Sequence, residues 1–234
     1  MTGFIQVAGV HDWDEATLLI EAGVPYVGFP LRLPVHREDL SEEAAAEIVR
    51  RMPPSVKPVL ITYLDSAEAA FSFSEKLGVR FLQLHGEISR EELKILKQLS
   101  PELFIIKSLV IRRDNLSELE ETVKSLGVFV DAFITDTYDP ETGASGATGK
   151  THDWGVSQRL VQLSPKPVIL AGGLTPENVR EAILAVRPAG VDVHTGVEGN
   201  GGHKDPELVR KFIKEAQKGF AEIIAYPDKT RTVS

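Results

Sequence analysis

Short apolar segments alternate with longer amphipathic segments along almost the whole chain. Segments such as 4–8 and 57–62 are rich in Val, Ile, Leu and Phe, and the stretches between them repeat apolar residues at helical spacing. Eight strand–helix pairs of this kind follow one another. Strands that are apolar throughout are typical of a parallel sheet with helices on both of its faces. The pattern therefore predicts the α/β class.

Eight strand–helix units in 234 residues predict a (β/α)8 TIM barrel with a single domain. A doubly wound sheet is the alternative, but it usually contains fewer units, and no Gly-x-Gly-x-x-Gly motif follows the first strand. We expect the barrel to occupy residues 1–220 and a polar C-terminal extension to occupy 221–234. Within the barrel, Thr175 is the predicted N-cap of the seventh helix, with Pro176 as the first helical residue.

The 26 basic and 34 acidic residues give a formal net charge of −8, and the basic residues form no cluster. Binding to a phosphate backbone needs a basic face, so we expect no nucleic-acid partner. No apolar run is long enough to cross a bilayer, and the N-terminus lacks the pattern of a signal peptide. These features predict a cytoplasmic protein without a membrane partner.

The chain contains no cysteine, which excludes disulfides, thiolate metal sites and any cysteine nucleophile or base. Its six histidines show neither His-x-His nor His-Glu-x-x-His spacing, and its acidic residues show no metal-loop pattern. The spacing of these residues therefore predicts no metal site.

In a (β/α)8 barrel the active site lies at the C-terminal ends of the strands, so the residues there are the first candidates. Asp136 ends the sixth strand and is either a general acid or base or a solvated carboxylate. His85 is either catalytic or a hydrogen-bonded structural residue, and Gln83 shares its face of the fourth strand. His11 lies in the first loop, where it is either functional or solvated. Arg37, in the second loop, is either a carboxylate ligand or a surface arginine.

Loops seven and eight carry glycines in the positions where barrel enzymes frequently bind phosphate. Gly172 and Gly173 precede a helix N-terminus, and Thr195 and Gly196 follow the last strand. Glycine lets backbone N–H groups approach an anion closely, and a helix start adds a favourable dipole. A phosphorylated ligand is therefore expected, with glycines that serve only tight turns as the alternative. A further Gly-rich segment after Asp136 predicts a closing lid over 140–150.

Several motifs, spread over residues 4–217, make the sequence resemble the phosphoribosylanthranilate isomerase family of tryptophan biosynthesis. They are Val-Gly-Phe at 27–29, Gln-Leu-His-Gly at 83–86, Thr-Gly-Lys-Thr-His-Asp-Trp at 148–154, the segment from Pro-Val-Ile-Leu to Glu-Asn-Val at 167–179, and Gly-Val-Asp-Val-His-Thr-Gly-Val-Glu at 190–198. The resemblance implies an Amadori rearrangement of N-(5-phosphoribosyl)anthranilate from an aminoaldose to an aminoketose, without a cofactor. It implies a small phosphorylated substrate and a monomer or homodimer, since the family contains both.

The resemblance also assigns the two catalytic groups, and one of them is missing. Asp136 matches the family's general acid. The strand-one motif of the family usually reads Lys-Ile-Cys-Gly, and its Cys is the base that removes the C2 proton. Here the motif reads Gln6-Val7-Ala8-Gly9, so that Ala8 stands in the position of the base. His11 is the nearby candidate for its replacement.

On the substrate side, Asp192 matches a family Asp on the eighth strand, and Arg37 matches the family's Arg for the anthranilate carboxylate with a shift of one residue. Three interpretations follow. The protein is a phosphoribosylanthranilate isomerase with a substitute base, a divergent paralogue that acts on another phosphosugar, or a non-catalytic barrel that binds phosphorylated metabolites.

Overall fold

The computed structural model describes residues 2–34, 38–137 and 153–226. Within these residues eight parallel strands form a closed barrel in chain order, and the first strand pairs with the last. The strands are β1 (Phe4–Ala8), β2 (Tyr26–Pro30), β3 (Lys57–Thr62), β4 (Phe81–Leu84), β5 (Phe104–Ile111), β6 (Ala132–Thr137), β7 (Val168–Leu170) and β8 (Gly190–Val193). The prediction of a (β/α)8 barrel is confirmed.

Each strand of the described chain is followed by a helix on the outside of the barrel. The helices are α1 (Trp13–Glu21), α2 (Glu42–Arg51), α3 (Ala67–Leu77), α4 (Arg90–Leu99), α5 (Leu116–Leu126), α6 (Trp154–Leu163), α7 (Val179–Val186) and α8 (Pro206–Ala225), and a short 3-10 helix (Thr195–Val197) precedes α8. Ser and Asp side chains cap many of the N-termini, as Ser41 does for α2 and Asp205 for α8. None of the helices in the described ranges is both long and apolar enough to span a membrane.

The structure places the start of α7 later than predicted and extends α8 past residue 220. Thr175 is not the N-cap of α7, because Asn178 closes a turn ahead of the helix: its Oδ1 accepts the Thr175 N–H at 2.8 Å and its Nδ2 donates to the Gly173 carbonyl at 3.0 Å. Towards the C-terminus of the chain, α8 continues to Ala225, into the predicted extension 221–234. A 2.6 Å ion pair between Glu222 and Arg180 of α7 holds this last part of α8. Residues 227–234 lie outside the described residues.

The barrel interior changes from aromatic at the N-terminal ends of the strands to polar at the C-terminal ends. Rings from β1, β2, β4 and β5 pack in series, with centroids 3.9 Å apart for Phe4 and Tyr26, 5.4 Å for Tyr26 and Phe81, and 5.1 Å for Phe81 and Phe104. An apolar layer that includes Val59, Ile106, Ile134 and Ile169 belongs to the same interior cluster. Polar groups in this barrel are therefore concentrated towards its C-terminal mouth.

Candidate active site

A series of buried polar side chains crosses the barrel near its mouth. Because alternate residues of a strand share a face, Gln6 lies inside the barrel with Phe4, and Gln83 lies inside with Phe81. Gln6 Nε2 donates to Gln83 Oε1 at 2.9 Å, and Gln83 Nε2 lies 2.7 Å from Nε2 of His85. His85 Nδ1 in turn lies 3.0 Å from Oδ2 of Asp136. The structure thus brings three predicted site residues, Gln83, His85 and Asp136, together.

The hydrogen bonds of this series specify the tautomer of His85. The Gln83 carbonyl oxygen is used by Gln6, so the Gln83 amide nitrogen is the atom that faces His85 Nε2 and donates to it. His85 Nε2 is therefore an acceptor, and the ring proton of the neutral imidazole lies on Nδ1, which faces Asp136. A proton on both nitrogens would set two donors against each other at Gln83.

Asp136 is buried at the end of β6, where one of its oxygens is fixed and the other is not. Oδ1 accepts the backbone N–H of Thr137 at 2.8 Å. Oδ2 makes no well-directed hydrogen bond with a described residue, although His85 Nδ1 is close. Oδ2 is thus the oxygen of Asp136 that lies against His85.

Burial lowers the pKa of the nearby Lys107 to about 8, and burial together with the charge of Asp136 raises the pKa of Tyr63 to about 12.

Asp192 lies opposite Gln6 in the β1–β8 ladder. The pKa of Asp192 is raised to about 7, mainly by burial of its carboxyl and also by the charge of Asp136. A hydrogen bond from Gln6 and the charges of His85 and Lys204 act in the opposite direction and lower this pKa. Gln6 Oε1 and Asp192 Oδ1 are both buried acceptors without a hydrogen-bond partner among the described residues. A proton on Asp192 turns one of these acceptors into a donor, so the geometry agrees with the raised pKa.

Ala8 ends β1 at the barrel mouth and offers no atom that can accept a proton. The next residue, Gly9, has a φ of 81° and lies against the ring of His194: a Cβ at Gly9 would be 2.2 Å from His194 Nε2. His194 Nε2 also lies 3.5 Å from Glu198 Oε1 and 4.0 Å from Asp39 Oδ2. The imidazole of His194 therefore lies beside the end of β1, near two carboxylates.

His11, the predicted replacement base, is held by the first turn of α1. Its backbone N–H and its Nδ1 both contact Glu15 Oε2, at 2.8 Å and 2.9 Å. Its other ring nitrogen, Nε2, lies 3.8 Å from Asp39 Oδ1. Both nitrogens of His11 thus face carboxylates.

The two predicted phosphate-binding loops touch each other. Gly172 and Gly173, in the loop after β7, have φ values of 101° and 62°. In the loop after β8, Thr195 and Gly196 begin the short 3-10 helix. A Cβ at Gly196 would lie 1.9 Å from the Leu174 carbonyl oxygen, so only glycine allows this contact. The two loops that carry these glycines therefore touch at one edge of the mouth.

Other candidates contribute less or lie outside the described residues. Arg37 and the predicted lid over 140–150 fall in the ranges 35–37 and 138–152, which the structure does not describe. Arg32, the other arginine of the second loop, pairs with Glu42 at 2.8 Å and stacks 3.8 Å above the Phe73 ring. Its guanidinium is thus engaged with the outer helices.

Some contacts at the mouth had no sequence signal. Lys204 is buried and its Nζ bonds Glu198 Oε1 at 2.7 Å and the His194 carbonyl at 3.0 Å, which ties the loop after β8 together. His203, next to it, approaches His11 and Glu15 near the start of α1. A spacing argument cannot detect a cluster whose members lie about 190 residues apart. Only the adjacency of β1 and β8 in a closed barrel hints at it.

Known proteins similar to this chain match it over almost its whole length. A family described as N-(5'phosphoribosyl)anthranilate (PRA) isomerase matches residues 5–215. The N-(5'-phosphoribosyl)anthranilate isomerase 2 of Methanosarcina mazei is 35% identical over 220 residues, which cover 94% of this chain and 96% of that protein. The N-(5'-phosphoribosyl)anthranilate isomerase of Haloferax volcanii is 36% identical, with coverages of 91% and 92%.

Solved structures give the same result. Phosphoribosyl anthranilate isomerase from Thermotoga maritima is similar with a TM-score of 0.78 at 30% identity, and the match covers 93% of this chain and 100% of that one. A phosphoribosyl anthranilate isomerase in complex with reduced 1-(O-carboxyphenylamino)-1-deoxyribulose 5-phosphate gives a TM-score of 0.76 at 27% identity, with the same coverages. The resemblance inferred from the sequence motifs is thereby confirmed, and the chain belongs to the phosphoribosylanthranilate isomerase family.

Proposed function

We propose that this protein isomerises N-(5-phosphoribosyl)anthranilate to the corresponding aminoketose, as a step of tryptophan biosynthesis and without a cofactor. Membership of the family supports the reaction, and a solved relative was crystallised with a reduced analogue of the product type. The observation that carries the proposal is the buried His85–Asp136 pair at the barrel mouth, at 3.0 Å. The cytoplasmic location and the lack of a nucleic-acid partner stay predictions.

Asp136 acts as the general acid in this proposal. A proton on its Oδ2 passes to the ring oxygen of the ribose, the bond between that oxygen and C1 breaks, and the nitrogen lone pair forms a C1=N double bond. The carboxylate left behind faces the Nδ1–H of His85, and charge on a carboxylate is stabilised by a nearby donor. Asp136 is thus able to give up its proton in a buried site.

The second step needs a base for the C2 proton, and we assign that role to His194. Ala8 has no proton acceptor, while the His194 ring packs beside the end of β1, with its Nε2 against Gly9 and 3.5 Å from Glu198 Oε1. Removal of the C2 proton gives an enamine. Delivery of a proton to C1 and loss of the proton from the C2 hydroxyl then give the aminoketose, so the elemental formula is unchanged.

Different residues are assigned to the phosphate, the ribose and the anthranilate parts of the substrate. The phosphate is assigned to Gly172, Gly173, Thr195 and Gly196, which meet where the loops after β7 and β8 touch. Gln83 and Asp192 offer hydrogen bonds to the ribose hydroxyls from inside the mouth. Arg37 is proposed to bind the anthranilate carboxylate through its guanidinium fork.

Complementation of a strain that lacks the isomerase tests the proposed reaction. We expect the natural protein to restore growth without tryptophan and Asp136→Asn to abolish that growth. Growth only with Ala8→Cys would instead indicate a site that has been adapted to another phosphosugar. A protein that binds phosphosugars but converts none of them at saturation would support the non-catalytic interpretation.

A further inference from the structure

A second cluster of ionisable side chains lies at the mouth, beside the candidate active site. It consists of His11 from the loop after β1, Glu15 from the first turn of α1 and His203 from the loop after β8. His11 Nδ1 is 2.9 Å from Glu15 Oε2, and His203 Nδ1 is 3.5 Å from Glu15 Oε1. The two imidazole rings are 4.6 Å apart at their centroids. Two imidazoles therefore converge on one carboxylate.

The carboxylate at the centre of this cluster is rigidly held. Glu15 is only 6% exposed, and its two oxygens accept the backbone N–H groups of Lys204 at 2.6 Å and of His11 at 2.8 Å. These donors favour the anionic carboxylate and fix its orientation. Because both oxygens also face an imidazole nitrogen, Glu15 joins the loop after β1 to the loop after β8.

We propose that His11, Glu15 and His203 bind one divalent transition-metal ion of the zinc type. With bonds of 2.0–2.1 Å, neighbouring ligand atoms of a tetrahedral ion are about 3.3 Å apart. His11 Nδ1 is 2.9 Å from one oxygen of Glu15 and His203 Nδ1 is 3.5 Å from the other, and one ligand atom from each of the three residues lies within 4.8 Å of the others. The side chain of His203 is 64% exposed, so it is the ligand best able to move closer to an ion.

The surroundings of the cluster are those of a metal ligand set. When Nδ1 of His11 binds the ion, its proton moves to Nε2, which lies 3.8 Å from Asp39 Oδ1. Metal-bound histidines generally direct the second ring nitrogen to a carboxylate or carbonyl oxygen in this way. The backbone donors on Glu15 supply the equivalent support for the carboxylate. A solvent molecule would complete the fourth position.

The ligand types identify the class of ion. Two imidazoles and one carboxylate suit Zn²⁺, Co²⁺, Ni²⁺ and Cu²⁺, whereas Ca²⁺ and Mg²⁺ prefer oxygen ligands. Such an ion would join the loop after β1 to the loop after β8, and so stabilise the loop that also carries His194. This inference does not depend on the isomerase reaction.

Cobalt titration of tag-free, EDTA-dialysed protein tests the site. We expect one Co²⁺ per chain, visible absorption of a low-coordinate cobalt site, and displacement by Zn²⁺. His203→Ala is expected to raise the Kd for Co²⁺ at least tenfold. Loss of a residue that only supports a metal ligand typically weakens metal binding about 10–100-fold, and loss of a ligand itself weakens it at least as much. Glu207→Gln, a change of an exposed residue in the first turn of α8, is the matched control and is expected to bind like the natural protein.

A cysteine substitution makes the test specific to this position. The chain contains no cysteine, so His203→Cys introduces its single thiol. If residue 203 is a ligand, this variant gains a near-ultraviolet sulfur-to-cobalt charge-transfer band. The proposal is overturned if the natural protein binds no Co²⁺, if His203→Ala binds it as well as the natural protein, or if His203→Cys binds cobalt without that band.

Discussion

At the residue scale, Asp136 is the group on which the proposed chemistry depends most. Asp136→Asn keeps the shape but removes the acidic proton, so we expect kcat/KM to fall by about 10²–10⁴ with little change in KM. Steady-state kinetics on purified protein measure this. Asp131→Asn is the control. Asp131 lies directly before the N-terminal end of the same strand, far from the barrel mouth, and pairs with Lys97 at 2.5 Å. Equal kinetic losses in both variants would contradict a catalytic role for Asp136.

Asp192 makes a prediction about the dependence of stability on pH. An unfolded Asp titrates near pH 3.9, whereas the pKa of Asp192 in the folded protein is raised to about 7. Between these values the folded state holds a proton that the unfolded chain has lost, so Asp192 makes the free energy of unfolding fall as pH rises. The slope from one such group is at most about 1.4 kcal/mol per pH unit.

Asp192→Asn removes this titration and is expected to flatten the fall in stability between about pH 4 and pH 7. Denaturant unfolding at several pH values measures the difference between the two proteins. The neighbouring Asp136, His85 and Lys204 remain in both proteins, so their own contributions largely cancel. Parallel stability curves for the natural protein and the variant would contradict the raised pKa.

At the scale of the elements, the loops after β7 and β8 work as a pair. Gly196→Ala places a methyl group 1.9 Å from the Leu174 carbonyl, so the loops must separate. We expect KM for the phosphorylated substrate to rise at least tenfold. Gly199→Ala is the matched control, since its Cβ would meet Asp205 at an ordinary 3.6 Å. An unchanged KM in Gly196→Ala would contradict a phosphate site formed by both loops.

The loop after β8 also depends on a buried ion pair. Lys204 Nζ is fully enclosed and bonds Glu198 at 2.7 Å. Lys204→Met leaves Glu198 without its cation, and breaking a buried pair in this way costs about 3 kcal/mol. Denaturant unfolding measures this loss. Lys211→Met, which removes an exposed pair with Glu177, is expected to cost less than about 1 kcal/mol. A loss of similar size in both variants would contradict the account of this loop.

The elements themselves could largely be predicted, because their signals are local. Apolar runs mark the strands, and side chains such as Ser41 and Ser89 mark helix starts by accepting a backbone N–H three residues ahead. The start of α7 could not be predicted, since Asn178 competes with Thr175 through a side-chain turn. Side-chain contacts across the barrel, such as the approach of His194 to Gly9, carry no local signal at all.

At the scale of the whole molecule, closure of the barrel produces both sites. The pairing of β1 with β8 brings the altered strand-one motif next to the loop that carries His194 and His203. The same closure joins Gln6, Gln83, His85 and Asp136 across the interior. The barrel and the positions at its mouth follow from the alternation of strands and helices. The identity of a substitute base does not follow from that alternation, because it depends on how two loops from opposite ends of the chain pack against each other.

The most direct test is the kcat/KM of four purified proteins with N-(5-phosphoribosyl)anthranilate: the natural protein, His194→Ala, His11→Ala, and His194→Ala combined with Ala8→Cys. Loss of a positioned base typically costs about 10²–10⁴ in rate. We expect that loss in His194→Ala, a much smaller one in His11→Ala, and recovery of at least tenfold when Ala8→Cys restores a proton acceptor at the end of β1. Full activity in His194→Ala, or no turnover by the natural protein, would contradict the account.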